Sequence, residues 1–150
     1  MTPFLTTIFC DDIRQEVGGK LSLMGVYNTV MYVQQFPATL PKLWIMATYI
    51  AAQDKPPKSL KFRVFRNNEP LADLDALPDY LQELANAREP VVPQPEGCQR
   101  AISSQTHICF SPLVLDQPCV LRVSAITDKG EVRGPGLQVQ MQPPSVHPAS

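Results

Sequence analysis

Histidine, tryptophan and glycine are scarce in this 150-residue chain, at 2, 1 and 7 copies, and neither sign of charge dominates. Thirteen Lys and Arg stand against fourteen Asp and Glu, for a net charge of −1. Proteins that hold nucleic acid by its phosphates carry a basic excess or a clustered basic face. Here the densest basic run, Lys58 to Arg66, alternates as a half-exposed strand does, so nucleic acid is not an expected partner. Long apolar runs are missing as well. The longest, Leu43 to Ala52, has 10 residues, about half of the ~20 a spanning helix needs, so no membrane segment is expected. The start, Met1-Thr2-Pro3-Phe4-Leu5, lacks the basic and apolar regions of a secretion signal, which makes a cytoplasmic location the expectation.

Cysteine is limited to Cys10, Cys98, Cys109 and Cys119, with no C-x-x-C pair among them. In a chain without an export signal these are expected to be buried thiols acting as small hydrophobes, not disulfides. Catalytic signatures are absent too: no Gly-rich phosphate loop, no G-x-S-x-G and no H-E-x-x-H. No cofactor is expected.

What the chain does have is proline, 16 copies, roughly double the usual ~5% share. None falls in 4–36, 58–69, 96–111 or 119–134, so prolines mark the ends of ordered segments. Inside those segments the dominant period is two. Leu137, Val139 and Met141 alternate with Gln138, Gln140 and Gln142, the pattern of a strand with one face on a core. Val120 to Thr127 is rich in β-branched residues and runs into a turn signal at 128–131. Leu60 to Arg66 and Leu71 to Leu74 flank Asn67-Asn68, a two-residue loop that sets Arg66 opposite Glu69 and Val64 opposite Leu71. Further strands are read at about 4–10, 20–27, 30–35, 43–52 and 104–110. Leu77, Leu81, Leu84 and Arg88 recur at helical spacing behind Pro78, which predicts one short helix over about 77–88. The expected architecture is a mostly β chain: an antiparallel β-sandwich of about eight strands with one helix in a crossover. A single domain over 1–142 would be followed by a flexible Pro/Ser-rich tail over 143–150.

The segment Ile8 to Tyr27 carries the most information. A two-residue loop at Gly18-Gly19 would mix charges into the Leu21/Leu23/Tyr27 face. A three-residue loop, Val17-Gly18-Gly19, pairs Glu16 with Lys20, Ile13 with Leu23 and Phe9 with Tyr27, and gives Gly19 the left-handed position. A slip of one residue exchanges the faces, so the second register is selected. It puts Asp11 on the buried face opposite Gly25, with Asp12 and Arg14 outward. At Cys10, Asp11, Asp12, Arg14, Glu16, Gly19, Lys20, Ser22, Leu23, Gly25 and Tyr27 the chain resembles an uncharacterised bacterial protein family, a domain of unknown function. That family shares a Cys-Asp-Asp-x-Arg hairpin followed by Gly-Lys-x-Ser-Leu and Gly-x-Tyr. The resemblance implies a compact domain and transfers no catalytic residue.

Two clusters qualify as chemical sites. Asp11, Asp12 and Glu16 could supply oxygens to a hard cation, which wants six to eight. Against this, adjacent strand residues face opposite sides, and Arg14 and Lys20 compete as partners. His107 and Cys109 share one face of a strand and could act as soft ligands or as base and nucleophile; zinc would need Cys98 or Cys119 as well. The residue-level expectation is therefore structural use of Asp11, Gly19, Gly25 and Tyr27, with Asp12, Arg14, Glu16 and Lys20 available for binding and no metal. Trp44 and Tyr49 fall on opposite faces of a strand that is apolar on both, which invites cover by a partner. The functional expectation is a non-enzymatic interaction protein that recognises a protein or itself. The alternative is a small metal-dependent or hydrolytic enzyme built on Asp11/Asp12/Glu16 or His107/Cys109.

Overall fold

The computed structural model describes residues 1–86 and 95–144. Their strands are β1 (Phe4–Gln15), β2 (Leu21–Tyr27), β3 (Val30–Val33), β4 (Ala38–Leu40), β5 (Leu43–Ala52), β6 (Leu60–Arg66) and β7 (Glu69–Asp75). One helix, α1 (Pro78–Ala85), leads to β8 (Ala101–Phe110), β9 (Leu113–Leu115), β10 (Cys119–Thr127), β11 (Gly130–Arg133) and β12 (Leu137–Met141). Sheet order is β2-β1-β5-β8 in one layer and β3-β12-β10-β6-β7 in the other, with β11 also on β10 and a small β4-β9 ribbon. Pairing is antiparallel except between β12 and β3. The described residues form the expected β-sandwich with one short helix, with twelve strands where about eight were expected.

Period-two alternation builds the core. On β5 the odd residues Leu43, Ile45, Ala47, Tyr49 and Ala51 are all buried. They join Phe62 and Val64 of β6, Leu121, Val123 and Ala125 of β10, and Leu137 and Val139 of β12 in one apolar cluster. Burying each Leu, Ile, Val or Phe side chain among them stabilises by roughly 1.5–3 kcal/mol. The layers are also stitched by polar contacts: Thr7 Oγ1 donates to the Pro135 carbonyl at 2.8 Å. The β6–β7 turn is tied to β10 twice, because Asn67 N–H donates to Val120 O and Val120 N–H donates to Asn67 Oδ1. Asn67 adopts φ 54° there, which an Asn tolerates.

Several expectations need correction. Val64 pairs with Ala72, not Leu71, because the ladder shifts between Val64 and Phe65; Pro70, with no N–H to donate, sits in this edge strand and favours such an irregularity. The helix begins at Pro78, with Leu77 still extended (φ −65°, ψ 136°) as its cap. Residues 87–88 of the expected helix, most of the loop that follows and the tail from 145 on lie outside the described residues. The short strands β4, β9 and β11 were not expected: β4 and β9 have three residues each, too few for alternation to register, and β11 starts within the 128–131 turn signal. Cys10 and Cys119 are buried thiols as expected, but Cys98 and Cys109 are exposed. Cys109 lies on the solvent side of β8, where alternation turns it away from Ile108.

A core truncation and a surface one separate these two environments. Ile45→Ala should cost about 2–5 kcal/mol, whereas Gln140→Ala on the exposed side of β12 should stay within about 0.5 kcal/mol. Urea unfolding of the two variants checks the difference.

Candidate functional site

The first hairpin takes the three-residue-loop register. Phe9 pairs with Tyr27, Ile13 with Leu23, and Glu16 N–H donates to Lys20 O at 2.7 Å. Gly18 and Gly19 both have positive φ, 85° and 77°. β1 pairs with β5 only as far as Cys10, opposite Trp44, while its pairing with β2 continues to Gln15. The hairpin therefore projects beyond its own sheet as a two-stranded arm. That projection explains why Asp11 is exposed and not buried: it lies where the arm leaves the core. Glu16 and Lys20 are exposed near the tip and meet through their backbones.

Asp11 nonetheless has a built-in place. Tyr27 Oη donates to Asp11 Oδ1 at 2.6 Å. The carboxylate lies across Gly25, so that a Cβ there would collide with its Oδ2 and stand 2.7 Å from its Cγ. Gly25 also holds φ 66°, which L side chains rarely adopt. The Asp, Gly and Tyr thus form one unit: the missing side chain makes room for the carboxylate that receives the phenol. Burial, and secondly the Asp11 hydrogen bond, push the Tyr27 phenol up from 10.0 to about 12.

Asp12 faces the other side. Lys42 Nζ approaches Oδ1 at 3.0 Å and Arg14 Nε approaches Oδ2 at 3.2 Å. Those two hydrogen bonds, Lys42 first, hold its carboxyl below the usual range. Lys42 also sits 5.7 Å from the centroid of the Trp44 ring. Both oxygens of Asp12 are thus occupied by cations, and Asp11 is turned to Tyr27. Asp11, Asp12 and Glu16 are not brought together, and among the described residues no group of three or more His, Cys, Asp or Glu converges on a metal-sized site. His107 and Cys109 do share a face, but His107 Nε2 lies 3.1 Å from Gln105 Oε1. Cys10 is buried, and desolvation first of all raises its thiol, which keeps it protonated and a poor nucleophile.

The larger feature is the outer face of β2-β1-β5-β8. Cross-strand rows run Phe4–Ile50–Ser103, Thr6–Thr48–Gln105, Ile8–Met46–His107 and Cys10–Trp44–Cys109, with Val26 beside Cys10 and Met24 beside Asp12. Val26 is 51% exposed, Met24 45% and Phe4 44%. The Trp44 indole N–H is buried with no hydrogen-bond partner among the described residues, at a cost of about 1–3 kcal/mol; the ring serves as apolar surface. The outer face of the opposite sheet is built differently. Arg63 pairs with Asp73, Lys61 with Asp73 and Asp75, Arg122 with Glu131, and Gln140 donates to Gln138. The β6–β7–β10 face carries ion pairs, whereas the β2-β1-β5-β8 face between Phe4 and Cys10 is uncharged and mixes apolar side chains with the Thr6–Thr48–Gln105 row, where Gln105 Nε2 donates to Thr48 Oγ1. The apolar composition of β5 was the sequence signal for this face, but its extent across four strands needs the register.

Gly25→Ala should destabilise by about 1–3 kcal/mol through its positive φ and the collision with Asp11. Part of that loss should return in Asp11→Ala/Gly25→Ala, as a double-mutant cycle in urea will read. For Tyr27, a folded pKa near 12 against 10.0 unfolded means that its contribution is complete below pH 10 and lost as pH rises from 10 through 12. Phenolate absorbance should show a late-titrating tyrosine that disappears in Tyr27→Phe.

No curated protein and no solved structure matches the chain. A family model matches residues 5–140, from the second residue of β1 to the penultimate residue of β12. The chain therefore belongs to DUF6941, a family of unknown function.

Proposed function

We propose that this domain is a non-enzymatic protein-interaction module whose docking surface is the apolar outer face of β2-β1-β5-β8. The observation that carries the reading is the contrast between the two outer faces. Sheets that face water on one side alternate apolar with polar residues, as the β6–β7–β10 face does with its ion pairs. β5 instead places Trp44, Met46 and Ile50 on its outer side, in rows with Ile8 and Phe4. Exposed apolar surface marks interaction sites in soluble proteins, and here it forms two patches on either side of the Thr6–Thr48–Gln105 row. The charged residues Asp12 and Arg14 border it at the arm and supply a polar rim, while Glu16 and Lys20 extend that rim to the hairpin tip.

An enzyme reading has less to stand on. Asp11 is engaged by Tyr27 and Asp12 by Lys42 and Arg14, and Glu16 lies apart from both near the exposed hairpin tip.

The test is a pair of charge insertions on opposite faces. Met46→Lys should abolish capture of partners from the source cell, while Gln140→Lys should leave it intact, both proteins folding as wild type by circular dichroism. Identical capture by the two variants would remove the docking face. Metal analysis addresses the enzyme reading: a stoichiometric metal that Asp11→Ala removes without unfolding the domain would sink the module reading.

A further inference from the structure

A separate site lies along the edge of the same sheet: we infer that β8 takes up an extended peptide of a partner protein by strand addition. The open side of an end strand is a row of unpaired N–H and C=O groups, which proteins guard with charge, proline, a break in the ladder or shortness. Three of the four end strands of the two layers are guarded here. β7 carries Glu69, Pro70, Asp73 and Asp75. β2 holds Gly25 at φ 66°, where its pairing with β1 lapses, and β3 has four residues. β8 has none of these devices. Its ten residues, Ala101–Phe110, include no charged residue and no proline, and all ten pair with β5 in unbroken register. Among the described residues, no backbone group hydrogen-bonds to the side of β8 that faces away from β5.

A groove beside that edge sets the chemistry of the peptide. It has a volume of about 250 Å³ and is lined by Phe62, Leu74, Leu77 and Tyr80 from β6, β7 and α1, and by Ser104 and Thr106 from β8. That is smaller than the roughly 300–1,000 Å³ of small-ligand sites, and it suits one side chain delivered by a strand. Leu77 is 72% exposed, and Leu74 and Tyr80 are exposed beside it. Successive residues of an added strand point to opposite faces. An apolar residue therefore enters the groove while its neighbours join Gln105 and His107 on the outer side. Ser104, only 4% exposed, lines the groove with a hydroxyl that no described residue hydrogen-bonds. Main-chain pairing would supply affinity and the groove would supply specificity.

Charge and space then choose between strands. Asp75 is the charged residue of the groove lining, and its ion pair with Lys61 is long, at 3.9 Å. A Lys or Arg next to the apolar residue of the peptide would meet Asp75 at the exposed rim. A second copy of β8 fits poorly. Ala101–Phe110 has no Lys or Arg to offer, and that copy would bring its own α1 into space that α1 already bounds. The occupant is a single extended peptide that alternates apolar with polar residues and carries a cation beside its apolar anchor.

Selection of a phage-displayed library of random nonapeptides on the full chain tests the inference, followed by titration of the best peptide in synthetic form. The selected peptides should alternate apolar with polar residues and place Lys or Arg next to an apolar one. Alternate N–H groups of an added strand face its neighbour. Methylating the peptide amides one at a time should therefore weaken binding roughly tenfold at every second position and little between them. Leu77→Glu should weaken binding at least as much, and Asp75→Lys should remove the preference for a cation. Thr106→Lys, a charged guard placed on β8 itself, provides a second variant should Leu77→Glu fail to fold. A library without enrichment overturns the inference, as does a selected peptide that tolerates methylation at every position. Binding lost in Met46→Lys but kept in Leu77→Glu and Thr106→Lys puts the contact on the outer face; it overturns the edge site and leaves the proposed docking face standing. A chain of twice its 16.7 kDa mass that becomes single in Thr106→Lys makes the occupant a second copy and overturns the peptide.

Discussion

The two-residue period of β5 is the constraint on which the remaining structure depends. Its pairings with β1 and β8 fix which side chains enter the core, since a slip of one residue would send Ile45 and Tyr49 outward and Trp44 and Met46 inward. With Leu43, Ile45, Ala47, Tyr49 and Ala51 buried, the register of β1 follows, and through β1 that of the hairpin with β2. The same alternation places Trp44, Met46 and Ile50 outside. The core and the apolar outer face are two consequences of one pairing.

The hairpin shows how a short motif is explained by contact geometry. Asp11 can lie across β2 only because residue 25 has no side chain, and it stays there because Tyr27 donates to it. One residue later, Asp12 points to the opposite side and meets Lys42 and Arg14. Two adjacent carboxylates thus have unrelated partners, which is why a shared cation site does not form. What they do together is anchor a projecting two-stranded arm, an element that is marginal in isolation.

Much of this was legible in the sequence. Alternation at 60–66, 120–127 and 137–141 marks strands, and the mixed faces that a two-residue loop would give select the hairpin register that the chain adopts. Proline positions marked strand ends because a residue without N–H interrupts a ladder. Asp11 was misplaced for a physical reason: alternation assigns a face but cannot tell where a strand outruns its sheet. Leu71 was misplaced because a bulge at an edge strand breaks the count. The outer face was visible only as the composition of β5, since its remaining members, Ile8, Val26 and Phe4, come from strands whose neighbours a single sequence does not name.

The outer face of β2-β1-β5-β8 is the proposed docking surface. Trp44, the chain's single tryptophan, lies in that face and reports on it without a label. The most direct measurement is collisional quenching of its fluorescence across a dilution series of the purified protein. The prediction is a quenching constant that rises on dilution toward the value of the folded Met46→Glu variant. A constant that stays the same at every concentration, and equals that of the variant, would contradict self-association through this face.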